Sequence, residues 1–143
     1  MDSPFACLTL PARLDSMQAF RDFVHVGAES AGLAAPETDW LDLVLEEILV
    51  NIARYAYQPG TGDAEVRYAV EQPGQLRVEI SDAGRVFNPL ASDPPALGGP
   101  LAERPIGGLG VFLVKNLVGS LTYRREQDRN TLSFTFPAPK DGG

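Results

Sequence analysis

Apolar residues recur along this chain with two different periods, and the points where the period changes divide it into elements. "FACLTL", Phe5 to Leu10, is a short apolar run that reads as a strand. Beyond Pro11, "LDSMQAFRDFVHVGAESAGL" places Leu14, Met17, Phe20, Val24 and Ala28 at helical spacing, which predicts a first helix of about five turns. Gly32 and Pro36 in "LAAPETDW" break it. A second amphipathic helix follows in "DWLDLVLEEILVNIARYAYQPG", with Leu41, Val44, Leu45, Ile48, Ile52 and Ala56 on one stripe and Pro59 and Gly60 at its end. In "AEVRYAVEQ" and "LRVEISD" the period shortens to two; Pro73 and Gly74 between them predict a strand, a turn and a second strand closing at Asp82.

From Gly84 to Ile106 neither period survives, and the prolines at 89, 94, 95, 100 and 105 mark a long loop, either a lid over about 85–106 or a disordered segment. "GGLGVFLVKNLVGS" then opens a helix on glycines, with Val111, Leu113, Val114, Leu117 and Val118 as its apolar positions. "LTYRREQ" and "NTLSFTFP" predict a closing hairpin around Asp128 to Asn130. The order is β, α, α, β, β, loop, α, β, β, which predicts a two-layer α/β sandwich with helices on one face of a mixed sheet.

Composition narrows the class. A chain of 143 residues with 44% hydrophobic content suits one domain, residues 1–143, around one core. Twelve basic against nineteen acidic residues give a net charge of -7, which repels a phosphate backbone and disfavours nucleic-acid binding. No stretch approaches the roughly 18 apolar residues of a membrane span, so the expectation is a soluble, cytoplasmic protein with no membrane partner. The single cysteine, Cys7, offers neither a disulfide framework nor a Cys-rich metal site. Its place in an apolar run predicts a buried strand residue.

Three short stretches carry candidate chemistry. In "EEILVNIARYAY", Glu47 and Asn51 stand four residues apart, and with Arg54 and Gln58 they form a polar ribbon beside the apolar stripe. Taken alone, such a ribbon is solvated surface. A chemical reading is also open: an amide oxygen can give Mg²⁺ one ligand while waters and phosphates supply the rest, and a carboxylate one turn away can take a proton from a hydroxyl or water. In "SDAGRVFNP", Asp82 ends a strand, which by itself marks a turn. A buried carboxylate there accepts a hydrogen bond from an exocyclic amine, favouring adenine over guanine, while Gly84 lets the backbone come close to a base. In "RPIGGLGVF", glycines lead into a helix, either as a hinge or as free N–H groups facing phosphate. It lacks the Lys and Ser/Thr of a P-loop and follows no strand, so it is not a dinucleotide fingerprint.

The three stretches occur in one order, and together "EEILVNIARYAY", "DAGRVFNP" and "GGLGVFLVKNLV" resemble the N, G1 and G2 boxes of the GHKL ATPase superfamily. Within it, the compact length and the wording "FNP" and "GGLGVFLVKNLV" are similar to the anti-sigma-factor serine kinases, the switch kinases of bacterial partner-switching systems. The resemblance spans nearly the whole chain and implies the Bergerat fold with ATP and Mg²⁺ as cofactors. It implies Asn51 as the Mg²⁺ ligand and Glu47, not Glu46, as the general base toward a serine or threonine hydroxyl. Asp82 would meet the adenine amino group with Gly84 beside it, and Gly107, Gly108, Leu109, Gly110 and Val111 would line the phosphates. Thr131 matches an adenine-supporting strand threonine and Arg54 a phosphate-facing position; an exposed hydroxyl and a surface arginine explain those two equally well.

Three departures stand out: Tyr55 where many members have histidine, Val86 where Pro or Gly is usual, and no acidic residue in "LVGS". The first two bear on packing or lid shape, the third on partner contacts. The implied partners are a small antagonist (anti-anti-sigma) protein as phosphorylation substrate and a sigma factor or comparable target that the same domain sequesters. Homodimers are common in the family, and the first strand and helix are the candidate surface here. An alternative is a nucleotide-holding module that sequesters a partner without kinase activity; retention of both Glu47 and Asn51 favours the enzyme. The catalytic half of a sensor histidine kinase fits poorly, since the only histidine, His25, precedes Val26 and Gly27 on a helix expected at the surface or partly buried.

Overall fold

The computed structural model describes residues 5–57, 60–88 and 107–138. Eight principal elements follow in the expected order. These are β1 (Ala6–Pro11), α1 (Met17–Ala31), α2 (Ala35–Asn51), β2 (Asp63–Gln72), β3 (Gln75–Asp82), α3 (Gly107–Leu117), β4 (Gly119–Glu126) and β5 (Arg129–Phe136). A 3₁₀ turn, Leu14–Ser16, leads into α1, and a π-helical turn, Ile52–Ala56, continues α2.

Local chemistry sets these boundaries. α1 stops where Gly32 takes a left-handed conformation (φ 81°) and its N–H bonds the Ala28 and Glu29 carbonyls. Pro36 does not break a helix as expected; it sits in the first turn of α2, where no intrahelical N–H is needed. The Glu37 carboxylate accepts the Ala34 N–H at 2.9 Å, one half of a capping box that Ala34 has no hydroxyl to complete. Pro73 and Gly74 (φ 81°) form the two-residue turn between β2 and β3, as the sequence predicts. The last turn differs from expectation by one to two residues: Gln127 and Asp128, both at positive φ, connect β4 to β5.

The five strands form one sheet in the order β1-β2-β3-β5-β4. Every neighbouring pair is antiparallel, so the expected mixed sheet is corrected. The α1–α2 helical hairpin returns the chain so that β2 runs back along β1, and α3 carries the chain past β5's position before the β4–β5 hairpin fills it. Phe20, Val24 and Ala28 of α1 and Leu41, Val44, Leu45 and Ile48 of α2 pack on Val66, Val78, Ile80, Leu132 and Phe134 of the sheet. Burying that stripe is what holds the helices down, since each fully buried Leu, Ile or Phe stabilises by roughly 1.5–3 kcal/mol.

Three burial expectations are corrected. Cys7 is exposed, because alternation on edge strand β1 turns Ala6 and Leu8 inward and Cys7 toward the uncovered sheet face. Leu14, in the 3₁₀ turn rather than α1, is exposed, and Ala31 completes the α1 stripe instead. Leu113 and its neighbour Phe112 are exposed on α3, which buries Val114. No helix among the described residues is long and apolar enough to cross a membrane.

Candidate functional site

Glu47 and Asn51 share one face at the C-terminal end of α2, one turn apart, and Asn51 Nδ2 donates to Glu47 Oε2 at 3.1 Å. Burial pushes the Glu47 carboxyl above its ordinary range, only partly opposed by the Asn51 hydrogen bond and the charge of Arg54. A carboxylate so placed is a better proton acceptor than one in bulk water. Its neighbour Glu46 is exposed and reaches across to Arg21 of α1 at 3.8 Å. Arg54 is exposed on the π turn. Gln58 lies outside the described residues.

The π turn after Asn51 docks the loop that follows Asp82. Carbonyls at a helix end lack helical partners; here Arg85 takes two of them, its backbone N–H bonding Ala56 O at 2.9 Å and its Nε bonding Tyr55 O at 3.0 Å. The Tyr57 hydroxyl accepts the Ala83 N–H at 2.8 Å and donates to Asp63 O. Gly84 is what lets the two segments touch: a Cβ there would stand 2.2 Å from Ala56 O and 2.7 Å from Ala56 C. Gly84→Ala is therefore expected to destabilise the protein by about 1–3 kcal/mol and to weaken any ligand bound between the loop and α2. Urea unfolding checks this; an unchanged midpoint would show that the loop is not packed on the helix.

Asp82 closes β3 on the helix-facing side, 1% exposed. Gly84 N–H and Asn130 Nδ2 both donate to its Oδ1 at 2.9 Å; no hydrogen bond to Oδ2 is formed among the described residues. Burial drives the Asp82 carboxyl upward, against the Asn130 and Gly84 hydrogen bonds and the charges of Arg129 and Arg125. Gly107, Gly108, Leu109, Gly110 and Val111 are the first five residues of α3, which packs beside α2. The side chains of Leu109 and Val111 lie outside the described residues, as does the expected lid beyond Asn88.

Thr131 is not brought to this site. The β3–β5 register pairs it with Ser81 and pairs Asp82 with Asn130. Thr131 thus shares the uncovered sheet face with Ser133 and Thr135, while Asn130 shares the helix-facing side with Leu132, Phe134 and Phe136. Asn130 was missed, although "NTLSFTF" sets an asparagine on the parity of its apolar residues. Tyr57, whose ring hydroxyl staples the loop, carried no comparable signal.

The fold and this joining of the α2 end to the loop after Asp82, with α3 packed beside α2, define a class. Residues 10–136 match the histidine kinase-like ATPase domain, and the chain belongs to that family. Among its relatives is the serine/threonine-protein kinase BtrW of Bordetella bronchiseptica, 29% identical over 96 residues that cover 66% of this chain and 67% of the relative. The serine-protein kinases RsbW of Bacillus mycoides and Bacillus anthracis are each 22% identical over 133 residues, covering 90% of this chain and 82% of theirs. The resemblance to the switch-kinase branch rests on both kinds of match.

Proposed function

We propose that this protein is a Mg²⁺- and ATP-dependent protein kinase that transfers the γ-phosphate to a serine or threonine of a small antagonist protein in a partner-switching system. The observation that carries the reading is the Asn51–Glu47 bond: one turn of α2 presents an amide suited to a hard cation beside a half-buried carboxylate with a raised pKa. Of the Asn51 amide atoms, the oxygen is the one a hard cation takes as ligand. Bound Mg²⁺ would neutralise charge on the phosphates. Asp82 would accept from the adenine amino group through Oδ2, and Gly107 to Val111 would offer the start of α3 to the phosphates.

In the transfer, the acceptor hydroxyl oxygen bonds to the γ-phosphorus, its proton passes to Glu47, and the bond from phosphorus to the bridging oxygen of ADP breaks. Arg54, close enough to bias Glu47, is a further phosphate-facing candidate. The name borne by the relatives supports serine or threonine as acceptor. His25 Nε2 is joined to Asp42 Oδ1 at 2.7 Å, which ties α1 to α2. The same domain, as a homodimer, would sequester a sigma factor or comparable target until the antagonist is dephosphorylated.

The test is incubation of the purified protein with γ-labelled ATP and the small proteins encoded by adjacent genes. Acid-stable label on one of them is the expected result. ATP binding without any labelled neighbour would leave the sequestering module as the function, and label on His25 would overturn the serine/threonine reading.

A further inference from the structure

Asn130 is 2% exposed and uses its amide as the centre of a network that joins four parts of the chain. Its Oδ1 accepts from the Phe87 N–H at 3.1 Å, the Tyr123 hydroxyl at 2.6 Å and Arg125 Nη1 at 3.2 Å. Its Nδ2 donates to Asp82 Oδ1 at 2.9 Å and to the Arg85 carbonyl at 2.7 Å. Arg125 Nη1 also reaches the Gly84 carbonyl at 2.7 Å. The opposite amide orientation would turn the oxygen toward two acceptors and the NH₂ toward three donors, so a single orientation is selected.

We infer that Asn130 is a positioning and specificity-determining residue: it fixes which oxygen of Asp82 faces a bound nucleobase and ties that carboxylate to residues Arg85–Phe87. The inference rests on Asp82 as the base acceptor, and it adds a role that Thr131 was expected to fill. By drawing both donors onto Oδ1, the Asn130–Gly84 pair reserves Oδ2 for an incoming amine, which an acceptor such as the guanine oxygen cannot satisfy. The Arg85 and Phe87 contacts mean that displacing the loop root also releases the Asp82 clamp. Asn130 also opposes the effect of burial on Asp82, keeping the carboxylate ionised to lower pH than the site would otherwise allow. The charged groups bearing on Asp82 are Arg125 and Arg129, whose guanidinium groups oppose the effect of burial on it, and the Tyr57 hydroxyl also lies within reach of its charge.

The experiment is calorimetric ATP titration of the full chain at about pH 5.5 and about pH 8, for wild type, Asn130→Ala and Tyr123→Phe. Asn130→Ala is expected to weaken ATP binding about tenfold at the higher pH and by a clearly larger factor at the lower one, because the acid limb of binding moves up. Tyr123→Phe removes one donor from the Asn130 Oδ1, loosening the amide that holds Asp82, and is expected to move the limb the same way by less; it carries the test where Asn130→Ala does not fold. A purely structural role would lower affinity or stability equally at both pH values, and that result overturns the inference. Asp82→Asn separates the two levels. Full ATP affinity in that variant sinks the base-acceptor reading itself, whereas lost affinity there with wild-type pH dependence in both Asn130→Ala and Tyr123→Phe sinks only the role of Asn130.

Discussion

Glu47→Gln is expected to lower phosphate transfer by at least about a hundredfold while leaving ATP affinity within about twofold. The glutamine is nearly isosteric and can still accept the Asn51 Nδ2 bond through its oxygen, so the helix face and the candidate cation ligand stay in place. What disappears is the proton acceptor. Glu46→Gln is the matched control: its carboxylate faces Arg21 rather than Asn51, and transfer is expected to stay within about twofold of wild type. Single-turnover transfer from labelled ATP, read beside calorimetric ATP binding, checks both. A Glu47→Gln protein with normal transfer would remove the carboxylate from the mechanism, and equal losses in the two variants would point to a general charge effect.

Asp82→Asn is expected to cost at least about tenfold in ATP affinity and to leave the unliganded protein as stable as wild type or more so. The affinity is lost because an amine donor would meet a second NH₂ in place of Oδ2. Stability is kept because the new amide oxygen can occupy the Oδ1 position, retaining the bonds from Gly84 N–H and Asn130 Nδ2. It also relieves a buried charge. The sign follows from the upward shift: a carboxyl whose folded pKa exceeds its unfolded value contributes stability present below the unfolded pKa and lost as pH rises through the folded one. At neutral pH, wild-type Asp82 therefore carries a cost that asparagine does not. Nucleotide binding needs the ionised form, so in the same window acidification favours the empty protein and disfavours the loaded one. Thermal unfolding with and without ATP separates the two effects; a sharply lower melting temperature for empty Asp82→Asn would mean that the carboxylate has a structural role instead.

Most of the fold was legible because burial is periodic. The stripe Leu41, Val44, Leu45, Ile48, Ile52 and Ala56 is buried as its spacing predicts, and the Pro73–Gly74 turn falls where its residue types place it. Strand direction was not legible, since the alternation in β2 to β5 reads the same for either sense and only the connections decide it. Cys7 shows a similar limit: an apolar neighbourhood does not tell which side of an edge strand is covered.

The candidate site was readable where it depended on helix spacing and unreadable where it depended on register. Glu47 and Asn51 meet because four residues make one turn. Asp82 ends its strand as expected, yet its partner is set by cross-strand pairing, and a shift of one residue exchanges Thr131 for Asn130. The π turn that presents the Tyr55 and Ala56 carbonyls to Arg85 has no sequence signature of its own in "NIARYAY". It is nonetheless what joins the α2 face to the loop after Asp82.

A crystal structure with Mg²⁺ and a non-hydrolysable ATP analogue tests most directly whether the Glu47–Asn51 pair and Asp82 belong to one nucleotide site. The expected result places the adenine amino group on Asp82 Oδ2, the metal on Asn51 and the phosphates at Gly107 to Gly110, with Glu47 facing the γ-phosphate from the acceptor side. A base bound away from Asp82, or a metal held without Asn51, would contradict the account.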